Sequence, residues 1–226
     1  MNANEIQLIN QTYNQVIQAI TFSRRSVYLD NLRHRSKVIS FDSKVRGYLG
    51  EILISELLKN HNINILSVNS LFNNQNVDTD IVILNSKGNK LRIECKTSLI
   101  PDIWNSIENV VKFGDIKIIK RESNFNDSLI DFHIQIYFND LRNKRDVMLN
   151  NLDFDIESVS NEQIFTTMKY NSLEIFLVCW IDKKSLQNYL EKQTNKIWRF
   201  GQREFWKCPI KISQPPITLI ETLRNY

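Results

Sequence analysis

The sequence predicts a mixed α/β or α+β fold built as one domain over residues 1–226. Apolar residues recur at helical spacing in some stretches and as short runs or alternation in others, and the two kinds are interspersed along the chain. Of the 226 residues, 42% are hydrophobic and 10% are aromatic, which is enough for one large core. Because only five glycines and four prolines are present, we expect no flexible linker.

The N-terminal part predicts two helices separated by a basic stretch, residues 24–37. Residues 2–23 have the apolar spacing of a helix with one buried face, at Ile6, Ile9, Tyr13, Ile17 and Ile20. Residues 41–60 predict a second helix, which Asp42 or Ser43 would cap. The apolar stripe of this second helix contains Val45, Leu49, Ile52, Leu53, Leu57 and Leu58.

Residues 62–99 predict three strands, of which the last two form a hairpin. The first candidate strand is 62–68, and the second is the apolar run 80–84. Residues 91–99, LRIECKTSL, alternate in polarity and return as its partner. The turn between them contains Gly88, which can adopt a positive φ.

The C-terminal half predicts further helices and strands. The helices are expected at 103–111, at 182–193 and after Pro216, and the strands at 130–138 and 173–181. The last of these strands, LEIFLVCWI, is apolar almost throughout, which is typical of a strand buried on both faces. No element is assigned to 139–172, and residues 197–206 mix aromatic rings with cations.

The predicted hairpin brings three ionisable side chains together. Residues two apart on a strand point the same way, so Glu94 and Lys96 share one face, while Cys95 points to the other. Asp80 stands at the start of the preceding strand. A hairpin that turns near Gly88 therefore places Asp80 next to Glu94 and Lys96.

Two neighbouring carboxylates repel each other unless a cation lies between them. Mg²⁺ takes oxygen ligands, so Asp80 and Glu94 are candidate ligands, with the backbone carbonyl of Cys95 as a third. A divalent metal activates water for hydrolysis, and Lys96 is placed to orient that water. The pattern favours hydrolysis of a phosphodiester.

These residues resemble the PD-(D/E)xK nuclease superfamily. The motif reads Asp80 followed by Glu94-Cys95-Lys96, and Glu51 of the helix GYLGEILISELL matches the helical acid of that family. The resemblance covers 41–98, under a third of the chain, and Thr79 stands where the family name has proline. It implies a restriction-endonuclease-like core, with a mixed sheet of about five strands flanked by helices. Asp78 has the same strand parity as Asp80 and remains an alternative ligand.

Other hydrolytic sites lack their residue patterns in this sequence. The three histidines are dispersed, which argues against a histidine-rich metal nuclease, and no Gly-rich phosphate loop or GxSxG turn is present. Because the three cysteines include no CxxC pair, a cysteine zinc site is not expected. Their odd number and wide separation favour reduced thiols in the cytoplasm. No apolar run is long enough for a membrane span.

Two basic stretches are candidate DNA contacts, although the net charge of +4 is too small to imply a nucleic-acid partner alone. Their cations would neutralise phosphates, and Gln202, in a predicted turn, has the groups to pair with an adenine edge. Solvated cations and buried rings are the alternative interpretation of both stretches. The candidates are Arg24, Arg25, Arg33, Arg35, Lys37, Arg199, Gln202 and Arg203.

The resemblance implies a Mg²⁺-dependent type II restriction endonuclease that cleaves double-stranded DNA and acts on no small-molecule substrate. Cutting both strands of a palindrome calls for a twofold homodimer. Residues 1–40 and 139–226 are the expected DNA-binding and dimerisation elements, with residues 4–22 or 101–128 as candidate interfaces. A structure-selective repair or recombination nuclease and a catalytically inactive DNA-binding module are the alternatives.

Overall fold

The computed structural model describes residues 1–26, 36–68, 79–153 and 155–226, and these ranges confirm the mixed α and β class. Their α-helices are α1 (Tyr13–Ser26), α2 (Lys37–Asn60), α3 (Ile107–Phe113), α4 (Arg142–Asn150), α5 (Asn161–Thr167), α6 (Lys183–Glu191) and α7 (Leu219–Asn225). Their strands are β1 (Gln7–Ile9), β2 (Asn64–Val68), β3 (Ile81–Leu84), β4 (Lys90–Ile100), β5 (Ile118–Ile119), β6 (Phe132–Leu141), β7 (Ile175–Asp182), β8 (Ile197–Phe200) and β9 (Arg203–Trp206).

A six-stranded mixed sheet forms the centre of the described chain. The sequence predicts about five strands for this sheet. Its order is β1-β7-β6-β4-β3-β2. β4 and β6 run parallel, and the other neighbouring pairs are antiparallel. A second sheet has the order β5-β9-β8.

Apolar side chains cover both faces of the central sheet. Residues of α1 and α2, such as Val16 and Leu49, share one cluster with Ile81 of β3. The second cluster joins α3 and α6 to the three-stranded sheet. β7 contributes Leu177 to the first cluster and Val178 to the second, which confirms that it is buried on both faces.

The helix predicted over 2–23 is wrong in its first part. Residues Gln7–Ile9 form β1, which pairs with β7 so that Ile9 lies opposite Ile175. Pairing satisfies the N–H and C=O groups along the outer side of β7, a long-range gain that local spacing does not report. The helix begins only at Tyr13, after Thr12 and Gln15 cap it reciprocally.

The predicted cap of the second helix is also wrong. α2 begins at Lys37, where Ser36 Oγ accepts a hydrogen bond of 3.3 Å from the backbone N–H of Ile39. Asp42 and Ser43 lie inside the helix. A similar serine, Ser106, caps α3, which therefore begins four residues later than the sequence predicts.

Asp42 instead anchors a buried charge network between α2 and α4. Its side chain is 1% exposed and accepts hydrogen bonds from Arg46 Nε at 2.8 Å and Arg145 Nη2 at 2.6 Å. The hydroxyl of Tyr170 donates to the same carboxylate. Burial alone would raise the pKa of Asp42, but Arg46 and Arg145 outweigh it and hold the pKa at about 2. The network fixes the position of α4 relative to α2.

α2 packs closely against β4 at Gly50. A Cβ atom at Gly50 would lie 2.5 Å from Thr97 Cγ2 and 3.3 Å from Ile136 Cδ1. Glycine therefore allows a helix–sheet approach that alanine would block. The next residue along the helix is Glu51, so this contact also sets where Glu51 lies.

We expect Gly50→Ala to destabilise the protein by roughly 1–3 kcal/mol, because the added methyl group overpacks the contact with Thr97. Gly47→Ala is the matched control, since a Cβ there meets nothing within 4 Å. That control should gain about 1 kcal/mol from helix propensity. Chemical denaturation measures both, and Thr97→Ser, which removes Cγ2, should restore much of the loss. Equal gains for both alanines would contradict the close approach.

None of the helices within the described ranges is long and apolar enough to cross a membrane.

Candidate active site

The β3–β4 hairpin places Asp80 beside Glu94. Ile81 lies opposite Ile93 in this antiparallel pair, so continuing the register puts Asp80 opposite Glu94. Gly88 in the connecting turn has φ of +80°, as predicted. Asp80 Oδ2 accepts a hydrogen bond of 2.7 Å from the backbone N–H of Cys95. The Asp80 side chain thereby satisfies a backbone N–H of β4 that lies just past Ile93, the last β4 residue paired with β3.

Side chains from both faces of the sheet reach one cleft because the edge of β4 is free there. β3 pairs with β4 only as far as Ile93, and no other described strand lies on that side of residues 94–100. Lys96 on one face and Thr97 on the other both line a cleft at this edge. Glu51 reaches the same cleft from α2, beside the close contact at Gly50.

Glu94 is almost completely buried, with 2% of its side chain exposed, and two cations and a histidine ring surround it. Lys96 Nζ lies 2.8 Å and Arg121 Nη2 2.9 Å from Oε1, while His133 Nδ1 lies 3.1 Å from Oε2. Burial alone would raise the pKa of Glu94, but Lys96, His133 and Arg121 outweigh it and hold the pKa well below its usual range. Glu94 is therefore an anion at neutral pH.

The carboxyl of Asp80 has the opposite balance. Burial raises its pKa, Lys96 opposes this effect, and the negative charge of Glu94 adds to it, so that the net direction is upward. Asp80 is thus a carboxyl whose charged form lacks a full counter-charge. A cation between Asp80 and Glu94 would supply one.

The cleft has a volume of about 500 Å³ and carries both signs of charge. That volume lies within the range of ligand pockets. Its acidic lining residues are Glu51, Asp80 and Asp146, and its basic ones are Arg46, Lys96, Lys117, Arg142 and Arg203. Aromatic side chains form one wall, namely Trp104, Trp198, Phe200 and Phe205. The excess of cations favours an anionic ligand.

The residues present fit a magnesium ion if the ion displaces the contacts of Lys96 and Arg121 with Glu94. Asp80 and Glu94 supply carboxylate oxygens, which Mg²⁺ prefers, and the Cys95 carbonyl lies between Glu94 and Lys96 in the chain. An ion at Glu94 Oε1 would compete with the Lys96 and Arg121 contacts. Within the described residues, no group of three or more His, Cys, Asp or Glu side chains is arranged to hold a metal. The proposed set has two such side chains, and its alternative ligand Asp78 lies outside the described residues.

The predicted DNA contacts lie in several places. Of the predicted cations, only Arg203 among the described residues lines the cleft. Arg199 pairs with Glu204, and Gln202 is exposed in the turn that contains Gly201. Both line a smaller depression, together with Lys120 and Glu204.

The N-terminal candidates are engaged elsewhere or exposed. Arg24 donates to the carbonyl of Val159, and Arg25 is exposed at the end of α1. Lys37 forms ion pairs with Asp155 and Glu157. Arg33 and Arg35 lie outside the described residues.

Several residues of the site are absent from the sequence-based prediction. Gln135 is fully buried, and its side chain accepts a 3.0 Å hydrogen bond from the Lys117 backbone N–H while donating one of 3.0 Å to the Lys96 carbonyl. Arg121 and Lys117 come from the irregular segment around β5, and no periodicity marks them. His133 has a detectable signal, since it lies on a predicted strand, but its partner is Glu94 across parallel strands.

The aromatic wall holds two cations against rings. Trp198 stacks on Phe205 with ring centroids 4.5 Å apart, and Lys117 Nζ lies 4.6 Å from the Trp198 centroid. The Arg142 guanidinium lies 5.6 Å from the ring centroid of Phe200, which is 53% exposed. The rings of 197–206 are therefore divided, since Phe205 and Trp206 are buried and Phe200 is not.

Comparison with known proteins gives no match to a family model, to a curated protein or to a solved structure.

Proposed function

We propose that the chain is a Mg²⁺-dependent endonuclease that cleaves double-stranded DNA at specific sites and acts as a homodimer in a restriction system. The observation that carries the proposal is the meeting of Asp80, Glu94 and Lys96 at the free edge of β4, beside a cleft with more cations than acids. Phosphodiester hydrolysis needs a held cation, an oriented water and neutralisation of the phosphate. Each of these tasks has candidate groups in the cleft.

The position of each residue in or beside the cleft indicates which of these tasks it would perform. Asp80, Glu94 and the Cys95 carbonyl would hold the ion, which would supply polarisation of the scissile phosphate and a lower pKa of water. Lys96, 20% exposed and 2.8 Å from Glu94, would orient the attacking water and donate to the phosphate. Glu51 lines the same cleft and would hydrogen-bond to water near the ion. The cations of the cleft attract the DNA backbone.

The surroundings of Glu94 favour a second candidate function, which is to bind DNA without hydrolysing it. Its carboxylate is 2% exposed, is already paired with the cations Lys96 and Arg121, and lies 3.1 Å from His133 Nδ1. Charge satisfaction of this kind stabilises a fold without any metal. Such a module would bind DNA through the cleft and leave it intact.

Incubation with phage and plasmid DNA in Mg²⁺ tests the proposed function. We expect discrete fragments that carry 5′-phosphate and 3′-hydroxyl ends, and no cleavage in excess EDTA. Cleavage confined to branched or damaged DNA would replace restriction by repair or recombination. Tight binding with no cleavage in Mg²⁺ or Mn²⁺ would leave the binding module.

A further inference from the structure

Two cations of the cleft, Lys117 and Arg142, have no part in the catalytic cluster. Each lies over an aromatic ring of β8, with Lys117 at Trp198 and Arg142 at Phe200. Neither forms an ion pair with a carboxylate in the described part of the chain. Both side chains are half-buried and line the cleft.

In the protein without a ligand, the proximity of the two positive charges is unfavourable. Burial and, next, the nearby Arg142 lower the pKa of Lys117 to about 8, because Asp115 only partly opposes them. Two like charges in one wall are stabilised when an anion binds between them. This balance is typical of a site whose counter-charge is a ligand.

Gln135 fixes where this pair stands relative to the catalytic cluster. Its side chain joins the carbonyl of Lys96 to the backbone N–H of Lys117. The backbones of the two lysines are therefore linked through the carboxamide group of one buried glutamine. Because the bridge is buried and hydrogen-bonded at both ends, the spacing is rigid.

We propose that Lys117 and Arg142, backed by Trp198 and Phe200, form a second phosphate-binding site, which takes a neighbouring phosphate of the DNA strand cleaved at Asp80, Glu94 and Lys96. The inference rests on the proposed function and adds a positioning role to it. The guanidinium offers a planar fork and the ammonium a point charge, and both are suited to phosphate oxygens. Binding there would fix the register of the strand along the cleft.

Fluorescence anisotropy with a fluorescein-labelled 30-base-pair duplex, without divalent metal, tests the site. Lys117→Met and Arg142→Gln should each weaken binding on the order of tenfold at moderate salt, and should reduce the slope of log K against log salt by about one. Lys117→Arg, which keeps the charge, should retain most of the affinity. Lys59→Met at the exposed end of α2 is the charge-matched control and should change neither quantity.

The readouts separate this inference from the proposed function. If the parent protein binds and cuts DNA but Lys117→Met and Arg142→Gln keep its affinity and salt slope, the second site is wrong and the nuclease proposal stands. If the parent protein neither binds nor cuts DNA, both fail. In cleavage assays the two variants should raise KM with little change in kcat, whereas Lys96→Met should lower kcat. Thermal denaturation checks that each variant is folded.

Discussion

Lys96→Met should reduce DNA cleavage by roughly 10²–10⁴-fold while leaving DNA affinity within a few-fold of the parent protein. The substitution keeps the length of the side chain but removes the ammonium that lies 2.8 Å from Glu94. Arg121 still pairs with Glu94 and His133 still lies within hydrogen-bond distance of it, so we expect the fold to survive. Single-turnover cleavage at saturating enzyme measures the chemical step, and anisotropy without metal measures binding.

Two outcomes would contradict this role of Lys96. Cleavage at the parental rate would remove the lysine from the chemistry. Loss of binding with an unchanged rate at saturation would make it a phosphate contact only. Lys59→Met is again the matched control, because it removes one exposed positive charge at the far end of α2, away from the cleft-lining residues.

Asp42→Asn should destabilise the protein by about 3–5 kcal/mol, since it removes the charge that compensates two buried arginines. Arg145 is 1% exposed, and its bonds to Asp42 are 2.6 and 3.0 Å long. Arg46 would lose its 2.8 Å partner at the same time. Urea denaturation measures the change, with Asp127→Asn as an exposed control expected within about 0.5 kcal/mol of the parent. A loss below about 1 kcal/mol would contradict the network.

The same carboxylate sets part of the acid stability. The folded pKa of Asp42 is about 2, below the usual value of about 3.9 for an unfolded chain. Its contribution is therefore complete above pH 4 and is lost as the pH falls from about 4 to about 2. The free energy of unfolding of Asp42→Asn should depend less on pH in that window.

The network also has a functional consequence. Arg46 lines the cleft from α2, while Arg142 and Asp146 line it from α4, the helix that carries Arg145. Breaking the Asp42–Arg145 link would let α4 move relative to α2. We therefore expect Asp42→Asn to weaken DNA binding even under conditions in which it remains folded.

The meeting of Asp80, Glu94 and Lys96 could be predicted from the sequence because it depends on local rules. A two-residue strand period puts Glu94 and Lys96 on one face, and the turn at Gly88 fixes the register that brings Asp80 to them. Both rules act within one hairpin of about 20 residues. The strand bounds there differ from the expected ones by at most one residue at each end.

The other half of the cleft depends on contacts between distant segments. Gln135 links the backbone of Lys117 to that of Lys96, and Arg142 lies in the same cleft because β6 runs directly into α4. No spacing rule links these three segments. The N-terminal strand was missed for the same reason, since β1 exists through its pairing with β7, more than 160 residues away in the chain. The predicted helix cap at Asp42 is wrong because the sequence alone does not distinguish a buried aspartate inside a helix from one that caps it.

The most direct test of the central claim is Mg²⁺-dependent cleavage of a mapped duplex by the parent protein and by Asp80→Asn. The substitution keeps the shape of Asp80 and its hydrogen bond to the Cys95 N–H, but it removes a charged oxygen donor. We expect the parent protein to cut at fixed positions only with the metal present, and Asp80→Asn to bind the same duplex without cutting it. Equal cleavage by both proteins, or cleavage by the parent in excess EDTA, would contradict it.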